Sequence, residues 1–366
     1  MRGLPLSRLT GFIFWLLLTV PWAAGCATQF PVPANPDAIA SEATAEAIRT
    51  RYETALTELP QSKQRHYAQR LYRTTGDERY LPLNRAYGRR LIKKLREETA
   101  ALKTPGYAER RAREAIADYP TSSEKKQRRK RMLARWGEVI YAKSLAFDLV
   151  QAKTYGLLNE HDLPEYQQAL AYLESVDFHS FLLNADVVAV YAAQVANLTY
   201  YLYDLGIADW RAEVTTAFRE QYPPAQDAAL SRAEYRNKIY GMTHFVIAAS
   251  GYYQKPVEAE AFHWALNEFA AGLDPILART KEDIYTEVGI SFLLAGQTEH
   301  PAVTRLRTAL LQAYNPAARM IPAEDGDTDL VRGEHRNVLA IMLLDWPDSL
   351  YPGPVLQNLK PPGFIE

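Results

Sequence analysis

Polar side chains interrupt three otherwise apolar helical stretches in the second half of this sequence. The first stretch contains Asn237, Tyr240 and His244, the second Asp283 and Glu287, and the third Arg332, Glu334, His335 and Asn337. Residues four positions apart share one face of a helix, so Tyr240 aligns with His244, and Asp283 aligns with Glu287. His244, Glu287 and Asn337 also lie at similar depths, about ten residues before the turn that ends each stretch. This spacing predicts that the polar side chains line one cavity.

Two kinds of sugar chemistry fit these groups. Hydrolysis of a glycosidic bond uses two carboxyl groups, about 5–5.5 Å apart for retention or about 6.5–9.5 Å apart for inversion, and Glu287 and Glu334 are the predicted pair, with His244 as a third catalytic group. Elimination would instead use Tyr240, His244 or Arg332 as a base or as a neutraliser of a uronate carboxylate. The predicted substrate-binding residues are Tyr240, Asn237, Asp283, Arg332, His335 and Asn337.

Two further interpretations of the same residues remain open at this stage. Buried polar groups must be hydrogen-bonded, so these side chains could simply bond to one another and fix helix ends. His244, Glu287, Glu334 and His335 are acceptable metal-ligand types, but their spacing does not match a metal-binding motif such as HExxH. We therefore predict neither a metal nor a cofactor.

The elements that would position these groups repeat one unit along the chain. Each unit is a nearly apolar helix, a tight turn, an amphipathic helix and a polar connection, and we find no alternating strand pattern. The predicted helices are 68–75 and 83–101, 136–153 and 163–173, 183–205 and 210–221, 238–254 and 257–277, 283–295 and 302–314, and 334–345. A helix that is apolar all round must be buried, while an amphipathic helix can cover it. The pattern predicts an all-α fold with an inner and an outer layer of helices.

One segment links this pattern to a known fold class. Residues 71–81 read LYRTTGDERYL. This sequence pattern resembles the hairpins of the (α/α) toroid class, typified by six-hairpin glycosidases and polysaccharide lyases. The repeated order of apolar helix, turn and amphipathic helix extends the resemblance over residues 64–348. The catalytic motif of any single enzyme family is missing from this range. It implies a toroid-like barrel of about six helical hairpins and a glycoside hydrolase or polysaccharide lyase activity. This implication rests on fold analogy, because a fold does not determine a function.

The N-terminus indicates export and lipid attachment. Arg2 and Arg8 precede a short apolar run, and the only cysteine, Cys26, follows Ala23-Ala24-Gly25, which is typical of a signal peptide. The site resembles the lipobox of bacterial lipoproteins, and Ala27 fits outer-membrane retention. We therefore predict a periplasm-facing protein that is anchored to membrane lipid through acylated Cys26 and belongs to a bacterial lipoprotein family of unknown function.

The predicted organisation has five parts. They are a signal peptide at 1–25, a lipid-anchored tether at 26–36, a basic helical region at 37–135, a helical-hairpin core at 136–348 and a C-terminal tail at 349–366.

Charge is distributed unevenly along a nearly neutral chain. The formal net charge is −1, with 48% hydrophobic and 23% charged residues, which excludes a disordered tail protein and a polytopic membrane protein. Residues 61–131 nevertheless hold 21 of the 42 basic side chains and 8 of the 43 acidic ones. Such a run is commonly a solvated helix face. If it has a function in an exported protein, we expect an anionic lipid, glycan or protein partner rather than nucleic acid. The alternative function is accordingly a non-catalytic envelope protein that binds a glycan, lipid headgroup or protein.

Overall fold

A computed structural model describes residues 36–356. The predicted signal peptide, Cys26, nearly all of the tether and the last ten residues lie outside the described part. No helix within residues 36–356 combines the length and the apolar character needed to cross a bilayer.

The described residues form sixteen α-helices, four short 3₁₀-helices and an isolated β-bridge between Asn315 and Met320. The prediction of an all-α fold is thus confirmed. The helices are α1 (Pro36–Ala55), α2 (Gln61–Thr75), α3 (Leu81–Ala101), α4 (Tyr107–Ala117), α5 (Glu124–Leu133), α6 (Val139–Thr154), α7 (Tyr166–Ser175), α8 (Phe178–Leu183), α9 (Ala185–Leu205), α10 (Arg211–Gln221), α11 (Arg232–Ala249), α12 (His263–Ala271), α13 (Leu273–Arg279), α14 (Glu282–Leu294), α15 (Pro301–Ala313) and α16 (Leu330–Leu344).

Six central helices pack against one another in order. Helix α6 contacts α9, and the contacts continue from α9 to α11, α14, α16 and α2. On the remaining side, Gln69 in α2 donates a hydrogen bond from Nε2 to Gln151 Oε1 in α6 at 3.1 Å. Helices α9 and α14 are buried around most of their circumference, as expected for apolar helices with neighbours on all sides.

The other helices cover the central ones from outside. Helix α10 packs on α9, α15 on α14, α1 on α16, and α4 on α6. In α10 only Val214 and Phe218 are buried, and their spacing of four forms the single apolar stripe of a surface helix. The distinction between apolar inner helices and amphipathic outer helices in the sequence corresponds to this arrangement.

The LYRTTGDERYL segment has a structural explanation. Arg73 donates from Nε to the carbonyl oxygen of Gly353 at 2.9 Å and from Nη1 to that of Tyr252 at 2.8 Å. Gly76 ends α2 with φ +67°, and a Cβ there would approach the Tyr351 ring within 2.6 Å. The motif therefore fixes the segment 350–356 across the C-terminal end of α2.

Some predicted boundaries differ from the structure. The stretch 257–277 was predicted as one helix but consists of a 3₁₀-helix (Ala259–Phe262), α12 and α13. The Val257 N–H donates to the Leu294 carbonyl at 2.9 Å, which ties this part to α14, and Gly272 separates α12 from α13. Helix α16 begins four residues before its predicted start because Asp329 caps it, accepting from the Arg332 N–H at 2.8 Å.

Candidate functional site

A continuous line of polar side chains crosses five of the central helices, and we call it the polar belt. Its members, in spatial order, are Asn197 of α9, His244 of α11, Glu287 of α14, His335 of α16, His66 of α2 and Glu334 of α16. The members on α9, α11, α14 and α16 interrupt helices that are otherwise packed into the core, and His66 of α2 joins them from the adjacent helix.

One half of the polar belt is centred on Glu287. Its Oε2 accepts a hydrogen bond from Thr243 Oγ1 at 2.7 Å and lies 3.7 Å from His244 Nε2. The His244 ring is held from its other side, where Nδ1 lies 2.8 Å from Asn197 Oδ1. Because the amide oxygen accepts, His244 carries its proton on Nδ1, and the lone pair of Nε2 faces the carboxylate.

The other half continues from Glu287 to Glu334 through two imidazoles. Glu287 Oε1 lies 3.6 Å from His335 Nε2, and His335 Nδ1 lies 3.3 Å from His66 Nε2. The chain ends where His66 Nδ1 meets Glu334 Oε1 at 2.6 Å, and Lys63 Nζ lies 3.3 Å from the second oxygen of Glu334. The two carboxylates predicted as a catalytic pair are therefore joined through His335 and His66.

Access to solvent differs between the carboxylates and the imidazoles. The side chains of Glu287 and Glu334 are 2% and 0% exposed, whereas those of His66 and His335 keep 18% and 25% of their surface. A ligand that reaches the polar belt would thus meet imidazole rings, with the carboxylates behind them. This order resembles the way a buried acid orients a histidine in catalytic triads.

Protonation states within the polar belt follow from burial and neighbouring charge. Burial lowers the pKa of His244 to about 4 although Glu287 opposes this shift, so the ring is neutral at neutral pH. Burial also works against ionisation of Glu287, but His244, His335 and Thr243 outweigh it and keep the pKa of Glu287 below its ordinary value. The pair therefore combines a neutral imidazole with an anionic carboxylate.

Arg70 places a buried positive charge beside the polar belt. The residue is 7% exposed. Its guanidinium donates one hydrogen bond from Nη1 to the His66 carbonyl at 3.4 Å and lies 5.5 Å from the centre of the Tyr253 ring. Within residues 36–356 it forms no ion pair, and its Nε has no hydrogen-bond partner. A buried cation without a carboxylate partner is costly, and an anionic ligand would compensate it.

Tyr240 is the other reactive group next to the polar belt. Its ring meets the His244 ring edge-on, with centroids 4.4 Å apart, and its side chain remains partly exposed. Burial, reinforced by the charge of Glu287, raises the pKa of its hydroxyl well above the ordinary value. The phenol therefore keeps its proton at neutral pH and can act as a donor.

A cavity of about 520 Å³ opens beside Asn197, between α6 and α9. Its walls include Asn197, Tyr201, Tyr252, Tyr191 and Lys143. Tyr252 has φ +60°, a left-handed backbone conformation that costs a non-glycine residue about 1–3 kcal/mol and tends to occur at functional sites. Asn197 belongs both to the cavity wall and to the polar belt, and so connects the two.

The remaining predicted site residues lie elsewhere or have structural contacts. Asn337 binds the backbone of Ile321 and Gly333 through its amide, and so fixes the connection before α16. Arg332 is exposed and pairs with Asp327 at 3.2 Å. Asp283 lies at the start of α14, and within the described part of the chain its side chain accepts one hydrogen bond, from the N–H of Ile284. Neither Asn337 nor Arg332 joins the polar belt, whereas Glu287, Glu334, His244 and His335 do.

Sequence reasoning missed several members of this site. Asn197 and Thr243 interrupt apolar helices as His244 does, and the same criterion would have found them. His66 was missed because α2 was predicted to begin at residue 68. Arg70 falls within that predicted helix, but polar residues are so frequent in α2 that it does not stand out against an apolar background. No group of three or more His, Cys, Asp or Glu within the described part is arranged to hold a metal ion.

Comparison with known proteins gives one match. A family model described as a domain of unknown function (DUF3541) matches residues 41–362. No curated protein and no solved structure matches the chain.

Proposed function

The chain belongs to the DUF3541 family, and we propose that it is a carbohydrate-active protein that cleaves an acidic polysaccharide by elimination. The proposed fold is an (α/α) toroid of six hairpins, in which α2, α6, α9, α11, α14 and α16 form a closed inner ring. The order of helix contacts and the Gln69–Gln151 hydrogen bond support this closure. The segment 350–356 covers the C-terminal ends of α2 and α6, so a substrate would enter from the opposite end.

The observation that carries the proposal is the buried guanidinium of Arg70 beside His244 and Tyr240. A uronate carboxylate at this position would pair directly with Arg70, which has no carboxylate within ion-pair distance in residues 36–356 although its charge also favours the ionised form of Glu334. Arginine suits this task because its planar donors match the two oxygens of a carboxylate. Neutralising that carboxylate also makes the hydrogen on the adjacent carbon more acidic, which is the first requirement of elimination.

The groups around Arg70 can carry out the remaining steps. His244 accepts the hydrogen next to the carboxylate as a proton on Nε2 once its ring turns that nitrogen, which is buried 3.7 Å from Glu287 Oε2, toward the substrate. The released electron pair forms the carbon–carbon double bond. The bond to the glycosidic oxygen breaks, and Tyr240 donates its proton to that oxygen as it leaves. Glu287 stabilises the imidazolium that forms at His244, and the proton then returns to the tyrosine so that both groups are restored.

Hydrolysis by Glu287 and Glu334 has less support from the geometry. The two imidazoles of His335 and His66 lie between the carboxylates. A hydrolytic pair must instead flank the sugar directly, with room for substrate between the two acids.

The proposed location is the periplasmic face of the outer membrane, with acylated Cys26 as the anchor. The lone cysteine after a short apolar run supports this location. Growth with a labelled fatty acid should label the wild-type protein and leave Cys26→Ser unlabelled. Label on the Cys26→Ser variant, or none on the wild type, would remove the proposal of a lipid anchor.

The activity can be tested directly with purified protein and a panel of acidic polysaccharides, namely polygalacturonate, alginate and hyaluronan. Elimination creates an unsaturated uronate whose ultraviolet absorbance reports turnover. We expect Tyr240→Phe to lower the rate by about 10²–10⁴-fold because it removes the proton donor. Tyr203→Phe is the matched control, since Tyr203 is 42% exposed and stacks with Arg211. Equal rates for Tyr240→Phe and the wild type, or no product from any of the three polymers, would refute the proposal.

A further inference from the structure

We propose that a cleft between α5 and the first turn of α11 binds the acid group of a neighbouring sugar unit, so that the protein holds a polymer rather than a single residue. This inference rests on the proposed function and extends it from the reacting unit to the chain beside it. The cleft has a volume of about 230 Å³, and its walls include Lys125 and Arg128 of α5 and Asn237 of α11.

The basic wall of the cleft is free to take an anion. Helix α5 carries the sequence EKKQRRKRML and buries only Met132 and Leu133. Lys125 and Arg128 are exposed and form no ion pair with any residue in the described range. The exposed carboxylate of Glu124, at the start of α5, also lines the cleft. The carboxylate of Glu234 on the opposite wall is already engaged, accepting from the Ser231 backbone N–H at 2.9 Å and hydroxyl at 2.6 Å.

Asn237 provides an independent sign of a missing ligand. The residue is 6% exposed, and its Nδ2 donates to the Ala189 carbonyl and to the Tyr222 hydroxyl, both at 3.0 Å. The carbonyl can only accept, which fixes the orientation of the amide. Its Oδ1 is buried without a hydrogen-bond partner within the described part of the chain, and a sugar hydroxyl could donate to it.

The cleft and the cavity that adjoins the polar belt are lined by neighbouring residues of α9. Val190 lines the cleft, and the next residue, Tyr191, lines the cavity. Likewise Arg128 lines the cleft, while the guanidinium of Arg129 lies 5.0 Å from the centre of the Tyr191 ring.

The backbone of α9 is distorted at this junction. Tyr191 leaves helical geometry, with φ −134° and ψ 26°, and such a kink inside a helix needs a local cause. The kink turns Tyr191 to a position between Arg129 and Lys143, whose Nζ is 5.7 Å from the ring centre. Consecutive acid groups of an extended polyuronate would thus find cations on both sides of Tyr191.

Charge reversal at Arg128 tests the cleft apart from catalysis. The wild type, Arg128→Glu and Arg113→Glu are titrated calorimetrically with polygalacturonate, alginate, hyaluronan and the matching disaccharides. Arg113 is an exposed arginine of α4 away from the cleft walls, so its reversal is the control for unspecific attraction. We expect Arg128→Glu to weaken binding of the preferred polymer at least about tenfold, because a charge-assisted contact becomes a repulsion. Disaccharide binding and the response of Arg113→Glu should stay within about twofold of the wild type.

Three results separate the inference from the proposed activity. Equal weakening by both reversals, or none by Arg128→Glu, overturns the cleft even if cleavage occurs. Failure of the wild type to bind any of the three polymers also overturns it. Polymer binding that depends on Arg128 but yields no unsaturated product keeps the cleft and removes the proposed elimination.

Discussion

Two buried cations near the core of this protein have opposite surroundings. Lys238 is 0% exposed, and its Nζ contacts two carboxylates, those of Asp227 at 2.5 Å and of Glu268. Arg70 is 7% exposed and contacts no carboxylate within residues 36–356. Both lie on central helices, α11 and α2, so a difference in depth does not explain the contrast.

The contrast separates a structural charge from a functional one. A buried cation that is matched by carboxylates links the elements that supply them, and here Lys238 joins α11 to the connection before it and to α12. A buried cation without a counter-ion costs folding free energy unless other acceptors satisfy it, as two backbone carbonyls do for Arg73 at 2.8 and 2.9 Å. Arg70 has one such acceptor, at 3.4 Å. Proteins accept such local costs mainly at sites that bind or transform a ligand. On this account Lys238 serves stability and Arg70 serves an anionic substrate.

Removal of the structural charge should have the largest effect on stability. We expect Lys238→Met to lower the free energy of unfolding by about 3–5 kcal/mol, because Asp227 and Glu268 would be left without their cation. Urea unfolding measures this change.

A matched control is Arg305→Ala, which removes an exposed ion pair with Asp274 and should cost less than about 1 kcal/mol. A loss for Lys238→Met no larger than that of Arg305→Ala would show that the first half of the comparison is wrong.

His244 should make stability depend on pH. Burial holds its pKa at about 4 in the folded protein, whereas an unfolded chain has a value of about 6.5. Between these values the unfolded chain binds more protons, so the free energy of unfolding falls as the pH decreases through this window. The groups that face His244 are Asn197, Glu287, Tyr240, Tyr252, His335 and Arg70.

The contribution of His244 to the pH dependence of the free energy of unfolding can be isolated with the variant His244→Gln. From about pH 7 to about pH 5 the wild type should lose about 2 kcal/mol more than the variant. Urea unfolding at both pH values gives the two slopes. Parallel pH profiles would mean that His244 titrates normally in the folded protein.

Removal of the functional charge should have the smallest effect on stability. Arg70→Met replaces an unpaired buried cation by an apolar side chain of similar length, so the free energy of unfolding should stay within about 1 kcal/mol of the wild type or rise. Thermal and urea unfolding of the two proteins check this. A loss as large as that of Lys238→Met would assign Arg70 a structural role.

The sequence was sufficient to assign most helices to a layer because the signal is local, and polar α2 is the exception among the central helices. Apolar residues all round α9 and α14, against a single stripe in α10, distinguish inner from outer helices without knowledge of contacts. His244 and Glu287 lie at similar distances in sequence from the turns that end their helices, and this correctly predicted that the two side chains meet. The same argument failed for Asn337, because α16 turns that side chain toward the connection that contains Ile321 and uses Glu334 and His335 one turn earlier.

The missing half of the site depended on distant contacts. Arg70 lies on a polar helix whose sequence looks like a solvated surface, and its burial arises because α16 packs against α2. Similarly, the basic residues of α5 indicated an anion-binding surface, but the sequence did not show which other residues lie opposite them. The cleft depends on Asn237, more than a hundred residues later in the chain, and single-sequence patterns do not encode such pairs.

The most direct measurement is a calorimetric titration of the wild type and Arg70→Met with a uronate disaccharide, beside a neutral disaccharide of the same linkage. The account predicts that the wild type binds the acidic sugar at least about tenfold more tightly than the neutral one, and that Arg70→Met loses this preference while remaining folded. Equal preference for the acidic sugar in both proteins would contradict the assignment of Arg70 as the anion-binding group of the site.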